Sequence, residues 1–442
     1  MSALPTGWSK TPIDAIAEFN PKTIADDSLQ CAFSPMQHLG IRFRASMGYE
    51  DRKWGDIKKA YVHFQSRDVI VAKVTPCFEN GKAGVVPEIP NGIGAGSSEF
   101  CVFRPAQGID ERYLLAWLST EDFRRRATVV MTGSVGLKRV PKDVFLSEEL
   151  PLAPESEQRR IADKLDTVLT RVDTLNDRLA RIIPLLKRFR QSVLAAATSG
   201  RLTEDWRISH SSAKWSSAEI QNVAHVGTGS TPLRSNPDFF ATSGTPWVTS
   251  SATSEEFVKQ AEEHVTSAAI AAHRLKIYPV GTLLVAMYGE GKTRGQVTEL
   301  KISAAINQAC AAVIVDETKI SKQFVKLSLQ ANYLEMRTLA EGGNQPNLNL
   351  SKIKSFAISV PSQEEQTEIV RRVEILFAYA DRLEARLQTA RTAADRLTPA
   401  LLAKAFCGEL VPQDPNDEPA TELLCHLREA RADKSRGEGR RR

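Results

Sequence analysis

The sequence predicts two α/β (α+β) globular domains separated by two long helices that pair as an antiparallel coiled coil. Two observations lead to this. An apolar heptad seam occurs twice at an offset of 208 residues, and each copy follows about 150 residues with the same order of strands, glycine turns and helices. At 442 residues the chain exceeds one comfortable core, given a prior of roughly 100–200 residues per domain.

In the first globular stretch, RDVIVAKVT (67–75) reads as a strand leading into the glycine turn ENGKAG, and SEFCVFRP (98–105) as a second strand. A helical segment, DERYLLAWLSTEDFRRRAT (110–128), comes next. The first long helix then carries Ile161, Leu165, Val168, Val172, Leu175, Leu179, Ile182, Leu186, Phe189 and Val193 at spacings alternating four and three, which is a heptad seam. Running from about Pro154 to Ser199, it would be about 65–70 Å long at 1.5 Å per residue. Gly200 suits a left-handed helix end, and Pro184 is expected to kink the rod.

The second globular stretch repeats the order with VGTLLVAMY (280–288), GEGKTRG, ACAAVIVD (309–316) and KQFVKLSLQANYLEMRTLA (322–340). Its long helix places Ile369, Val373, Leu376, Ala380, Leu383, Leu387, Ala390, Ala394, Leu397 and Leu401 in the same register. Asp173 and Asp381, Arg178 and Arg386, Gly200 and Gly408, and Leu202 and Leu410 share the offset, so the chain reads as an internal duplication. With Ile161 set opposite Leu401, Leu165 faces Leu397, Val168 faces Ala394 and Phe189 faces Val373, so several bulky residues meet alanines. A homodimeric coiled coil is the alternative. Pro399 lies near the end of the second rod.

Composition narrows the class. A 42% hydrophobic, 25% charged chain of mean hydropathy -0.27 is that of an ordinary globular protein. No apolar run reaches the length of a membrane span and the first residues lack a secretion signal, which places the protein in the cytoplasm. The six cysteines are scattered without a C-x-x-C pair, giving no zinc site or disulfide framework. A net charge of +5, part of it in the final SRGEGRRR, is compatible with a polyanionic partner.

Signatures of chemistry are missing. GEGKTRG fails as a phosphate loop because Ala286 stands where its first glycine is required. NPDF (236–239) differs from the N-P-P-F tetrad of N6-adenine methyltransferases at Asp238, and no glycine-rich loop for S-adenosylmethionine accompanies it. The seven histidines form no metal-binding spacing or catalytic arrangement. The chain is therefore expected to bind and position while another chain does chemistry.

Four segments resemble the specificity subunit of type I restriction-modification systems: LPTGW (4–8), VGTGSTP (226–232), GGNQPNLNLSKIKSFAISVPSQEEQTEIV (342–370) and AFCGELVPQDPNDEPA (405–420). The first half departs from this pattern with FNPK (19–22), GSVGLKRV (133–140) and TSGRL (198–202). The resemblance implies target recognition domains at 1–152 and 206–361, conserved helical regions at 153–205 and 362–412, and a C-terminal extension with a basic tail at 413–442. It further implies a non-catalytic subunit that reads a bipartite double-stranded DNA target, with the helices setting the spacer. Its partners would be two modification (HsdM) subunits using S-adenosylmethionine to methylate adenine at N6, and up to two restriction (HsdR) subunits using ATP and Mg. No cofactor would be bound by this chain. The rival functions are a non-DNA coiled-coil scaffold and a divergent self-sufficient DNA methyltransferase.

Within that reading, the DNA-contact candidates of the second domain are polar residues beside turns: Thr228, Ser230, Thr231, Lys292, Thr293, Arg294, Asn307, Gln308, Asn344, Gln345 and Asn347. Arginine can read guanine with paired hydrogen bonds and asparagine or glutamine can read adenine, whereas lysine equally meets phosphate. A solvated basic turn is the alternative for Lys292 to Arg294, and a cap on local backbone for Asn307 and Gln308. In the first domain the candidates are Lys73, Lys82, Ser97, Ser98, Lys138 and Arg139.

Overall fold

The computed structural model describes residues 4–41, 47–134, 136–210, 214–288, 293–338 and 348–439. It divides into two compact units, residues 1–180 with 388–442 and residues 181–387, so that each unit holds one globular domain and a stretch of both long helices.

The first domain contains β1 (Ser9–Pro12), β2 (Ala17–Phe19), β3 (Gln30–Ser34), β4 (Glu50–Lys53), β5 (Val62–Gln65), β6 (Val69–Ala72), β7 (Ala83–Val85), β8 (Ile93–Gly96), β9 (Phe100–Pro105), β10 (Thr132–Ser134), β11 (Leu137–Arg139) and β12 (Glu149–Leu152). Its helices are α1 (Trp54–Ile57), α2 (Glu111–Leu118), α3 (Glu121–Val129) and α4 (Lys142–Leu146). Two four-stranded sheets form, in the orders β2-β9-β6-β7 and β4-β3-β8-β5. In the second sheet β3 and β8 are parallel and their outer neighbours antiparallel.

Strand β6 explains the layering. Val69 and Val71 pack with Leu114, Leu118, Phe123 and Phe145 on the helical side, while Ile70 and Ala72 pack with Phe64, Phe100 and Val102 toward the other sheet. Alternate side chains point to opposite faces of a strand, so a strand buried on both faces must be apolar throughout. That is why RDVIVAKVT reads as a run rather than an alternation. The helical segment at 110–128 is two helices, because Asp110 caps α2 and Thr120 caps α3 by accepting from the Phe123 N–H.

The long helix α5 (Glu155–Thr198) continues without a break through Pro184 and is followed by α6 (Glu204–Ser209). Gly200 has φ +78°, the left-handed end the sequence suggests.

The second domain contains β13 (Ser216–Glu219), β14 (Ala224–Thr228), β15 (Phe240–Ala241), β16 (Thr245–Val248), β17 (Phe257–Val258), β18 (Glu263–Val265), β19 (Ile277–Tyr278), β20 (Leu283–Ala286), β21 (Val297–Leu300), β22 (Ala304–Ile306), β23 (Cys310–Val315) and β24 (Ala357–Val360). Its helices are α7 (Ile220–Val223), α8 (Ser267–His273), α9 (Lys322–Ala331), α10 (Tyr333–Thr338) and α11 (Leu350–Lys354). The sheets run β14-β23-β20-β21-β17 and β15-β18-β16-β22-β19. Without β17 and β15 this is the topology of the first domain: β14, β23, β20 and β21 stand where β2, β9, β6 and β7 stand. The parallel pair β16 and β22 takes the place of β3 and β8. Each domain is closed by a two-stranded ribbon at its junction with a long helix, β1 with β12 and β13 with β24.

The second long helix is broken: α12 (Gln363–Asp395) ends just before Arg396 and α13 (Leu397–Phe406) follows. Pro399 supplies the reason, since its ring crowds the preceding turn and cannot donate to the carbonyl of residue 395. The C-terminal extension carries α14 (Ala420–Gly439), whose Leu423, Leu424 and Leu427 pack with Ile161, Leu165, Leu402 and Phe406.

The helices pair antiparallel, but the register differs from the expected one. Arg190 hydrogen-bonds Asp381 at 2.5 Å and Glu384 at 3.1 Å, with its guanidinium 5.5 Å from the Phe377 ring. The expected register places Arg190 level with Arg372. In the other unit Leu169, Asp173 and Asn176 share a cavity wall with Ala394, Asp395, Thr398 and Leu402, where the expected register puts Leu169 level with Ala393. The Arg190 contacts correspond to a slide of about nine residues in the second unit, and the cavity lining of the first is displaced in the same direction.

Its consequence is visible in burial. Ile161, Leu165, Val172, Leu186, Ile369, Val373, Ala380, Leu387 and Ala394 are buried as the seam requires, and Val168, Leu179, Ile182, Phe189, Leu376 and Leu383 partly so. Leu175 and Leu397 are each 41% exposed, Ala390 is exposed, and Leu169 and Leu402 take buried places instead. A heptad pattern repeats along its own axis, so registers about a heptad apart present nearly the same apolar seam. The slid register is distinguished by bringing Arg190 to two carboxylates.

Candidate nucleic-acid interface

One end of the second domain's first sheet gathers most of the polar candidates. Strand β14 ends beside the start of β23 and the end of β20, with Thr228 opposite Ala311 and Ala286 opposite Cys310. Thr228 Oγ1 donates to the Cys310 carbonyl at 2.8 Å, and the Ser230 N–H donates to the Ile306 carbonyl at 3.1 Å. Gly229 permits that approach, since a Cβ there would lie 1.7 Å from the Ile306 oxygen. Thr231 hydrogen-bonds the side chain of Gln308, so the two loops meet through their candidates.

Asn307 Oδ1 accepts the Ala309 N–H at 3.1 Å and therefore caps its own turn, leaving Gln308 exposed at the tip. Thr293 and Arg294 lie on the adjoining loop, which is closed by Gly295 N–H donating to Ala286 at 2.8 Å and by Arg337 donating to the Arg294 carbonyl at 3.2 Å. Lys292, Asn344, Gln345 and Asn347 lie outside the described residues.

The equivalent end of the first domain gathers Lys73, Ser97, Ser98, Lys138 and Arg139. Ser97 Oγ accepts the Glu99 N–H at 3.2 Å, the same capped turn that Asn307 makes, and Ser98 is exposed at its tip. Lys73 Nζ donates to the Ser98 carbonyl at 2.9 Å. The hairpin of β10 and β11 is fastened to the end of β6 through Thr75, whose N–H donates to the Lys138 carbonyl and whose Oγ1 accepts the Lys138 N–H, both at 2.9 Å. Lys82 is turned elsewhere and gives its ammonium to the Met36 carbonyl at 2.8 Å.

Sequence reasoning missed the partner of Arg139. Its Nε and Nη2 hydrogen-bond both oxygens of Glu99 at 2.6–3.1 Å, and this guanidinium holds the Glu99 carboxyl below its usual range. Forty positions separate the two residues, and no spacing pattern connects them. Sequence reasoning also missed a repeated junction beneath each domain. Trp8 donates its indole N–H to Glu157 at 2.9 Å and Trp215 donates to Glu365 at 3.0 Å, while Gln158 and Gln366 donate to the Ala153 and Pro361 carbonyls. The repeated Glu-Gln pair in the duplicated helix was its available signal.

The thiols of Cys101 and Cys310, buried in the sheets, are each pushed up to about 12 by desolvation and are unsuited to act as nucleophiles. Among the described residues no group of His, Cys, Asp and Glu could hold a metal ion, and no helix is long and apolar enough to cross a membrane.

A duplicated α/β domain, each copy carrying polar turns at one sheet end and joined to a long helix, defines the class. The family model described as the type I restriction modification DNA specificity domain matches residues 212–390. The type I restriction enzyme StySPI specificity subunit of Salmonella potsdam is 31% identical over 431 residues, covering 93% of this chain and 90% of the relative. The EcoAI specificity subunit of Escherichia coli is 37% identical over 209 residues, a match spanning 46% of this chain and about a third, 36%, of that relative's length.

Among solved structures, the HsdS subunit from Thermoanaerobacter tengcongensis superposes with a TM-score of 0.63 at 17% identity, covering 92% of this chain and 98% of that one. A chain from a type I R-M system described for its complex assembly and conformational transition reaches 0.71 at 16% identity, covering 92% and 100%. The fold is therefore shared with them. The chain belongs to the family of type I restriction-modification specificity subunits.

Proposed function

We propose that this chain is the DNA-binding specificity subunit of a type I restriction-modification complex. Residues 1–152 and 206–361 act as target recognition domains, each reading one half of a bipartite double-stranded site. The helical regions 153–205 and 362–412 set the spacer and dock two N6-adenine methyltransferase subunits, and 413–442 is an extension of the first unit. The observation that supports this best is the repeated sheet end: two domains of one topology present polar turns at equivalent places while differing in the residues they offer, Asn307 and Gln308 against Ser97 and Ser98. Like architecture with unlike side chains suits two readers of different sequences.

The chain itself supplies no chemistry in this reading. S-adenosylmethionine belongs to the modification subunits, ATP and magnesium to the restriction subunits, of which there are up to two, and the assembly works in the cytoplasm. Coexpression with the neighbouring modification subunit, followed by single-molecule sequencing for N6-methyladenine, is expected to reveal one interrupted motif. Exchange of the first domain should change one half only. A methylating assembly without any sequence preference would overturn the proposal and favour a scaffold.

A further inference from the structure

The first domain fixes one arginine of its sheet end against the carboxylate of a turn residue. Arg139 ends the hairpin of β10 and β11, its backbone flanked on one side by Thr132 and on the other by Val74. The next residue, Val140, donates its N–H to the Lys73 carbonyl at 2.9 Å, and Lys73 in turn donates its N–H to the Glu99 carbonyl at 3.0 Å. Backbone and carboxylate are thus tied to one strand end. Against this frame the Glu99 oxygens take the Nε and Nη2 edge of the guanidinium.

Occupation of that edge leaves the other one. The pair of N–H groups on Nη1 and the outer N–H of Nη2 have no partner among the described residues, and the Arg139 side chain is 41% exposed while that of Glu99 is 24% exposed. The free edge is the fork that matches the O6 and N7 acceptors of guanine in the major groove, a groove wide enough for a two-stranded β-ribbon. A free arginine samples many rotamers, and ordering it on binding costs free energy. A carboxylate that fixes the guanidinium plane beforehand removes much of that cost and aims the fork. In the second domain the residue in the turn position of Glu99 is Ala309, whose N–H is capped by Asn307 as that of Glu99 is by Ser97. The turn carboxylate of this device therefore has no counterpart at that position of the second domain.

We infer that Arg139 reads a guanine in the half-site of the first domain and that Glu99 is the positioning residue that presents it. This rests on the proposed function, and the test separates the two. N6-methyladenine sequencing would be performed on cells carrying the chain with its modification subunit, as wild type, Arg139→Lys and Glu99→Gln. Lysine retains charge but not the fork, and glutamine retains size but only one acceptor.

The expected result is a wild-type motif with a guanine in the half assigned to the first domain by domain exchange. That position should become degenerate in both variants, with the other half unchanged. Fluorescence binding should show discrimination against a substituted guanine falling about 10-fold, as for loss of one bidentate pair. Retained discrimination in Arg139→Lys would overturn the inference. So would a wild-type half-site without guanine, or a uniform loss of affinity over all sequences with a shallower salt dependence, the mark of a phosphate contact. If wild type gives no motif at all, it is the proposed function that fails. A purely structural role would lower the melting temperature of Glu99→Gln without altering base preference, and that outcome also sinks the inference.

Discussion

Trp215 donates its indole N–H to Oε2 of Glu365 across 3.0 Å, and the other oxygen of that buried carboxylate receives Thr203 at 2.8 Å and Arg207 at 2.8 and 3.0 Å. Glu365→Gln should cost about 3 kcal/mol, because the partly buried Arg207 loses the charge that offsets its desolvation. Denaturant unfolding of the purified chain would measure it. A cost below about 1 kcal/mol would mean that the junction contributes packing only.

Glu157 occupies the matching place but keeps only Trp8, its Oε1 being buried without a partner among the described residues. Burial raises its carboxyl above the usual value of 4.5. A raised folded value means that the folded state binds the proton more tightly than the unfolded chain does. The stabilising contribution is therefore complete below the unfolded value and is lost as pH rises through the folded one. Glu157→Gln should remove this loss, so that its stability relative to wild type improves from about pH 4.5 upward. A pH-independent difference would refute the assignment.

The slid register predicts which leucines matter. Leu169→Ala should cost about 2–5 kcal/mol, since the residue is 3% exposed, whereas Leu175→Ala, at 41% exposure, should cost less than about 1 kcal/mol. Equal costs, or the reverse order, would restore the register expected from the heptads.

At the sheet end of the second domain two adjacent residues should behave differently. Asn307→Ala removes the acceptor for the Ala309 N–H and should cost about 1 kcal/mol of stability. Gln308→Ala, at the exposed tip, removes only the solvent-exposed hydrogen bond from Thr231 and should lower the melting temperature little while weakening cognate DNA binding. Unchanged affinity and base preference across a salt series would remove Gln308 from the interface.

Much of the architecture was legible because it repeats. The strands at 69–72, 100–105, 283–286 and 310–315, the helix ends at Gly200 and Gly408, and the duplication all follow from local chemistry and an offset. Register was not, since Leu165 and Leu169, one turn apart, are equally able to fill a seam and only docking and the Arg190 contacts decide between them. The site was legible in part: turn residues such as Ser97 and Asn307 advertise themselves, whereas Glu99 reaches Arg139 through tertiary folding alone. Lys82 shows the converse, a lysine beside a glycine turn whose ammonium is taken by the Met36 carbonyl.

The register also fixes how the proposed ruler must be shortened. Residues facing one another in the second unit are those near Arg190 and Asp381, so the matched heptads are 184–190 and 381–387. Removing both preserves the seam phase and shortens the pair by about 10 Å, roughly three base pairs of duplex. The deletion takes Pro184 and Arg190 with it and also Asp381 and Glu384, so some stability is lost with the Arg190 ion pairs, a small amount because those carboxylates are largely exposed. Removing one heptad alone should unfold more of the chain, because its partner keeps two unmatched apolar turns. The doubly shortened chain, coexpressed with its modification subunit, should methylate a motif whose two halves are unchanged and whose spacer is contracted, or else should bind the natural site far more weakly, since compressing the duplex by that much is costly. A folded double deletion with the original spacer and affinity would show that the helices do not set the distance, and would leave docking of the methylating partners as the reason for having two.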